Sequence, residues 1–181
     1  MHPDGEGVLL SDAEIRKRVR ELGEQISVDY AGKELLAVGI LKGAMVFLAD
    51  LVRFISVPVF FDFMAVSSYG KSTGPSGAVR ILKDLEWDVA GCHVLVVEDI
   101  VDTGLTLSYL VGNLRSRRPA SLKVCTLLDK PARRRVDVAV DYCGFVVPDG
   151  FVVGYGLDYN ECYRHLPYIM VLRPAVYEGG N

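Results

Sequence analysis

Two hydrophobic periods alternate along the chain, and the points where one gives way to the other mark out its elements. From Ser11 to Tyr30, Ile15, Val19, Leu22 and Ile26 share one helical face behind the capping pair Ser11 and Glu14, which predicts an amphipathic first helix. Leu35 to Ile40 is an unbroken apolar run, the pattern of a strand covered on both faces. A helix over 43–55 and a long strand over 57–66 follow, with Pro58 at the strand's start. Glycine, serine and proline break the pattern from Ser67 to Ala78, which reads as a mobile loop before a strand at Val79–Lys83. Further strands are expected at 122–128, 139–147 and 168–172. Alternation of buried strands with helices predicts an α/β fold, a doubly wound and mainly parallel sheet. The region 148–181 has glycine-rich turns and no long helical pattern, so it is expected to fold over the sheet as a hood.

The most informative stretch is Val94-Leu95-Val96-Val97-Glu98-Asp99-Ile100-Val101-Asp102-Thr103-Gly104-Leu105-Thr106. Four apolar residues give a buried strand, and Leu105, Leu107, Leu110, Val111 and Leu114 resume at helical spacing. The acidic and hydroxylated residues between them, Glu98 and Asp99 included, therefore form a loop at a strand's carboxyl end, where open α/β sheets bind ligands and where a helix N-terminus attracts an anion. Adjacent Glu98 and Asp99 are a costly concentration of charge unless a cation or sugar hydroxyls sit against them. Neither a Gly-x-x-x-x-Gly-Lys-Ser/Thr loop nor a Gly-x-Gly-x-x-Gly fingerprint occurs.

The stretch Glu98-Asp-Ile-Val-Asp-Thr-Gly-Leu-Thr106 resembles the phosphoribosyl diphosphate (PRPP) signature of type I phosphoribosyltransferases, in particular the hypoxanthine-guanine branch. Four further segments resemble the same family, so the likeness runs from about residue 35 to 172. It implies a single domain over 1–181 that transfers the 5-phosphoribosyl group of PRPP to N9 of hypoxanthine or guanine, with Mg²⁺ as cofactor. In that reading Leu41, Lys42 and Gly43 face the leaving pyrophosphate, and relatives often have a cis peptide at the position of Leu41–Lys42. Ser68 and Tyr69 of the 67–78 loop reach the diphosphate, and Arg164 anchors it. Glu98, Asp99 and Asp158 serve the metal and the ribose hydroxyls, while Asp102, Thr103, Gly104, Leu105 and Thr106 cradle phosphate. Asp102 is the expected general base, approaching N7 of the purine. Lys130 meets the 6-oxygen, Phe151 stacks on the base, and Val152 and Asp158 meet its edge. Ala44 departs from the second glycine of many relatives.

Composition narrows the alternatives. A net charge of −3 argues against non-specific nucleic-acid or anionic-membrane binding, and the arginine runs 115–118 and 133–135 read as solvated or subunit-contacting surface. An RNA-binding attenuation regulator of the same fold is the runner-up, and a xanthine or adenine phosphoribosyltransferase is the second enzyme reading. Cys92, Cys125, Cys143 and Cys162 show no C-x-x-C spacing and read as buried free thiols. With no leader-like start and no apolar run near 18 residues, a soluble cytoplasmic protein is expected, as a homodimer or homotetramer by the family likeness. None of the three histidines is assigned to catalysis, and His2 is expected in a frayed tail.

Overall fold

The computed structural model describes residues 2–68, with Ser68 by its backbone alone, and 79–178. In chain order its elements are β1 (Gly5–Leu10), α1 (Asp12–Asp29), β2 (Leu35–Leu41), α2 (Met45–Leu51), β3 (Val59–Ser68), β4 (Val79–Lys83), β5 (His93–Val101), α3 (Leu105–Ser116), β6 (Ser121–Asp129), β7 (Tyr142–Val146), β8 (Val152–Val153), β9 (Ile169–Leu172) and α4 (Pro174–Tyr177). Short 3₁₀ turns follow α2 at Val52–Phe54 and β6 at Pro131–Arg133.

A six-stranded sheet runs β4-β3-β2-β5-β6-β7, parallel throughout except for β4, which returns antiparallel to β3. Strands β2 and β5 lie at its centre, and all their apolar residues from Leu35 to Ile40 and from Val94 to Val97 are buried. On one face α1 and α2 cover the sheet through Ile15, Val19, Leu22, Ile26, Phe47, Leu48 and Leu51. On the other, α3 contributes Leu107, Leu110, Val111 and Leu114 against Val38, Val94, Val96 and Val124. The expected doubly wound architecture is therefore present, and the Ser11–Glu14 capping box opens α1 as its sequence predicts.

The hood is a separate antiparallel sheet of order β1-β9-β8. It corrects the expectation of a frayed start: Gly5 to Leu10 pairs with β9, and the His2 amide donates to the Tyr168 hydroxyl at 3.0 Å. The expected loop at 67–78 also starts later than its composition suggests, because Ser67 and Ser68 remain in β3, paired with Arg80 and Val79. Tyr69 and the rest of that loop, through Ala78, lie outside the described residues. Cys125 alone is fully buried, with Cys92 and Cys143 partly covered and Cys162 exposed, so the expectation of uniformly buried thiols does not hold. All four are free.

Candidate active site

The carboxyl ends of β5 and β6 meet the hood around one cavity of about 580 Å³, lined by residues that include Asp99, Asp102, Lys130, Phe151, Val152 and Asp158. Asp99 lines its floor, and Glu98 precedes it on the strand. Strand geometry persists through Val101, so Glu98 and Asp99 are on the strand and not in the loop that their polarity suggests. Pairing explains this: β5 continues alongside β6 as far as Val101 opposite Asp129. Glu98 is consequently buried, and burial together with the neighbouring Asp99 pushes its carboxyl well above the usual carboxylate range. Burial raises Asp99 as well.

Adjacent carboxyl groups, one of them buried, are costly to ionise together, and they are the observation that tests the implied Mg²⁺. Among the described residues no three acidic, histidine or cysteine side chains converge into a ready cation cage. The expected trio is thus not brought together: Asp158 pairs with Arg164 at 2.8 Å, and its other oxygen accepts the Glu161 amide at 2.9 Å. Mg²⁺ usually keeps waters and substrate oxygens and takes only one or two carboxylates, so Glu98 and Asp99 fit it without a closed cage.

Beyond β5, Gly104 takes φ 81°, ψ −7°, a conformation that L side chains rarely adopt, and α3 begins there with no side-chain cap. The Leu105 amide reaches the Thr103 hydroxyl only at 3.5 Å. Asp102, Thr103 and Thr106, which could have capped the helix, do not, and its positive end is left for an anion. The segment after β6 straps this loop down: the amides of Arg135 and Val136 donate to the Thr103 carbonyl at 2.9 and 3.3 Å.

That strap carries a residue the sequence did not flag. Arg133 Nε lies 2.8 Å from Asp102 Oδ1, and its Nη1 is 3.2 Å from Asp149. The approach to Asp102 is off the hydrogen-bonding direction, and Oδ1 remains a buried acceptor with no hydrogen bond. Both side chains are half exposed, 47% and 40%, so the ion pair contributes no more than about 1 kcal/mol and is readily exchanged for another donor. Arg134 pairs with Asp129 at the end of β6. Arg133 and Arg135 are exposed, as expected of a solvated run, but Arg133 also lines the cavity. Its spacing from Lys130 was the available signal, since a short turn after Pro131 brings position 133 back over the strand end.

Lys130 is buried, and its ammonium donates to the Gly150 carbonyl at 2.5 Å. Burial lowers its pKa. Phe151, 37% exposed, stands opposite on the hood beside buried Val152 and lines the same cavity. The Leu41–Lys42 peptide is cis. Ala44 adopts an ordinary helical conformation, φ −75° and ψ −5°, so its departure from glycine alters nothing in the backbone. Lys42 reaches out to Glu161 at 2.8 Å, and Arg164 joins the same network through Glu161 at 3.3 Å and the Gly156 carbonyl at 2.7 Å. Lys42, Asp158, Glu161 and Arg164 thus form one charged rim between the α2 start and the hood.

A family model described as "Phosphoribosyl transferase domain" matches residues 9–160. The chain is 56% identical to the hypoxanthine-guanine phosphoribosyltransferase of Bacillus subtilis (strain 168) over 178 residues, 98% of this chain and 99% of that protein. It is 56% identical to the protein of the same name from Mycobacterium bovis over 181 residues, 97% of this chain and 90% of the other. A crystal structure of a hypoxanthine phosphoribosyltransferase from Staphylococcus aureus superposes with a TM-score of 0.94 at 49% identity, covering 100% of this chain and 97% of that one. Likeness over the whole length, on a fold whose cavity is lined by Asp99 and Asp102 of the 98–106 stretch, makes the chain a member of the phosphoribosyl transferase domain family.

Proposed function

We propose that the protein transfers the 5-phosphoribosyl group of PRPP to N9 of hypoxanthine or guanine, releasing pyrophosphate. The observation that carries this reading is the convergence of Asp102, Lys130 and Phe151 on one cavity beside the uncapped start of α3. A 6-oxopurine stacked on Phe151 presents its 6-oxygen to the Lys130 ammonium, which exchanges the Gly150 carbonyl for it. Its N7 then approaches Asp102, whose buried Oδ1 accepts the proton that N7 loses as N9 bonds to the sugar. The α3 amides and the hydroxyls of Thr103 and Thr106 take the sugar phosphate, while Lys42 and Arg164 turn from Glu161 to the diphosphate. Glu98 and Asp99 hold the ribose hydroxyls. Glu98 and Asp99 would hold Mg²⁺, with Asp158 joining them only by giving up Arg164, and the ion would neutralise charge on the departing pyrophosphate.

Four free thiols suit the reducing cytoplasm. No helix among the described residues is long and apolar enough to cross a membrane. Exposed Phe60, Phe61, Leu82 and Trp87 along β3, β4 and the loop that follows offer the apolar surface that a homodimer or homotetramer would cover. Of the arginines that could have favoured an RNA-binding reading, Arg117, Arg133 and Arg134 are instead engaged with Asp84, Asp102, Asp129 and Asp149. The test is to offer PRPP and Mg²⁺ with each free base and follow pyrophosphate. Release with hypoxanthine and guanine is expected. Release with adenine or xanthine alone, or retention of RNA with no turnover, would replace this reading.

A further inference from the structure

Phe151 does not stand alone at the rim of the cavity. Tyr177, the last residue of α4, stacks on its ring with centroids 5.1 Å apart and planes inclined by 24°, and Tyr159 meets it edge-on at 5.5 Å and 88°. Tyr177 itself rests on the hood's own core, among Val153, Leu166, Met170 and Leu172, and lines the base cavity alongside Phe151. A centroid separation of 5.1 Å is that of two rings in direct offset contact and leaves no room for a base between them. The face of Phe151 available to a purine is therefore the one turned from Tyr177.

We propose that Tyr177 is a positioning residue for the purine: it backs the Phe151 ring and fixes it at the tilt at which a base stacks, so that the base becomes the third ring of the pile. This rests on the function proposed above and goes beyond it, since it assigns part of base recognition to a residue at the far end of the chain. The physical reason is preorganisation. A surface phenylalanine on the chain just before a two-residue strand samples several rotamers, and a base that stacks on it must stop that motion at the cost of affinity. Tyr177 on one face and Tyr159 at the edge have already stopped it. The arrangement is set locally: Pro174 starts α4 at its first position, and the Glu178 amide closes the single turn on the Pro174 carbonyl at 2.8 Å, which aims Tyr177 back over the hood. Among the described residues the Tyr177 hydroxyl has no hydrogen-bond partner, so the ring and not the hydroxyl carries the role.

The experiment is steady-state kinetics of the full chain with PRPP, Mg²⁺ and hypoxanthine for Tyr177→Ala, Tyr177→Leu and Tyr177→Phe. Loss of the stack should raise KM for hypoxanthine by about 3–10-fold in the alanine and leucine variants. Both should leave kcat and KM for PRPP within about twofold of wild type, because the phosphate loop and acidic floor lie on other elements. Tyr177→Phe should restore wild-type KM. An unchanged KM for hypoxanthine in Tyr177→Leu would overturn the proposal, as would a parallel rise in KM for PRPP or failure of phenylalanine to rescue. Leucine preserves apolar volume, so it guards against simple unfolding of the hood in the alanine variant. Absence of hypoxanthine turnover in the wild type would sink the proposed function instead, and inosine monophosphate binding by the same variants, followed by calorimetry, would still report on the stack.

Discussion

The Asp99 carboxylate rests against the α-carbon of Gly43, so closely that a Cβ at position 43 would overlap Oδ2. Glycine is required there by contact and not by an unusual backbone angle. The start of α2 and the end of β5 thereby bring the pyrophosphate-facing and ribose-facing halves of the site within one side chain of each other. Gly43→Ala should push only the tip of a flexible side chain, so stability should change little while turnover falls on the order of 10²-fold through misplacement of Asp99. Thermal unfolding beside pyrophosphate release checks this. Wild-type turnover in the variant would mean that the position of Asp99 does not matter.

Asp102→Asn keeps the shape and an acceptor at the mouth of the phosphate loop but removes the capacity to take a proton. Turnover should fall by about 10²–10⁴-fold with PRPP binding retained. Rapid-mix turnover and equilibrium PRPP binding separate the two effects, and a variant as fast as wild type would remove Asp102 from the base role.

Lys130 faces the base with donors only. Hypoxanthine and guanine should therefore exceed adenine by about 10³-fold or more in kcat/KM, since the amino group of adenine would leave two donors opposed. Lys130→Met retains the length of the stem and should shrink that preference by raising KM for the oxopurines. Equal efficiencies for adenine and hypoxanthine in the wild type would contradict the assignment.

Glu98 makes stability depend on pH in a particular direction. Its folded pKa is raised by burial beside Asp99, so the folded state holds its proton more tightly than the unfolded chain, whose glutamate titrates near about 4.3. The stability associated with protonated Glu98 is full below that value and is lost as pH rises toward the raised folded value. Glu98→Gln should therefore melt like the wild type near pH 4 and progressively above it as pH increases, in metal-free protein, while losing turnover. A difference between the two melting curves that stays flat from pH 4 to 8 would show that Glu98 is not perturbed.

The sequence revealed most where side-chain pattern and backbone agree. Alternation of buried runs with amphipathic helices located the central sheet, and the short spacing from Glu98 to Thr106 located the acidic floor and phosphate loop. It failed where contacts between distant segments decide the outcome. Glycines at positions 5 and 7 obscure β1, whose strand exists because β9 pairs with it. Polarity placed Glu98 and Asp99 in a loop, whereas the ladder to β6 keeps them extended. Tyr177 joins the site only through a stack that no local spacing encodes, and the turn after Pro131 was the one local sign of Arg133.

The hood also sets an order of assembly. The phosphate cradle comes from one nearly contiguous piece of chain, β5 through β6, whereas the sheet that carries Phe151 closes only when β1 meets β9 and Arg173 bonds back to Gly5, 168 positions away. Contacts of such separation bear the largest loop-closure entropy and form late, and a small three-stranded sheet gains little burial in return. On that account the hood should be the first unit to open under native conditions, ahead of the central sheet. An opened molecule would keep its grip on the sugar phosphate and lose its hold on the base, so amide exchange in β1 and β9 would report the capacity to select a purine rather than the survival of the fold.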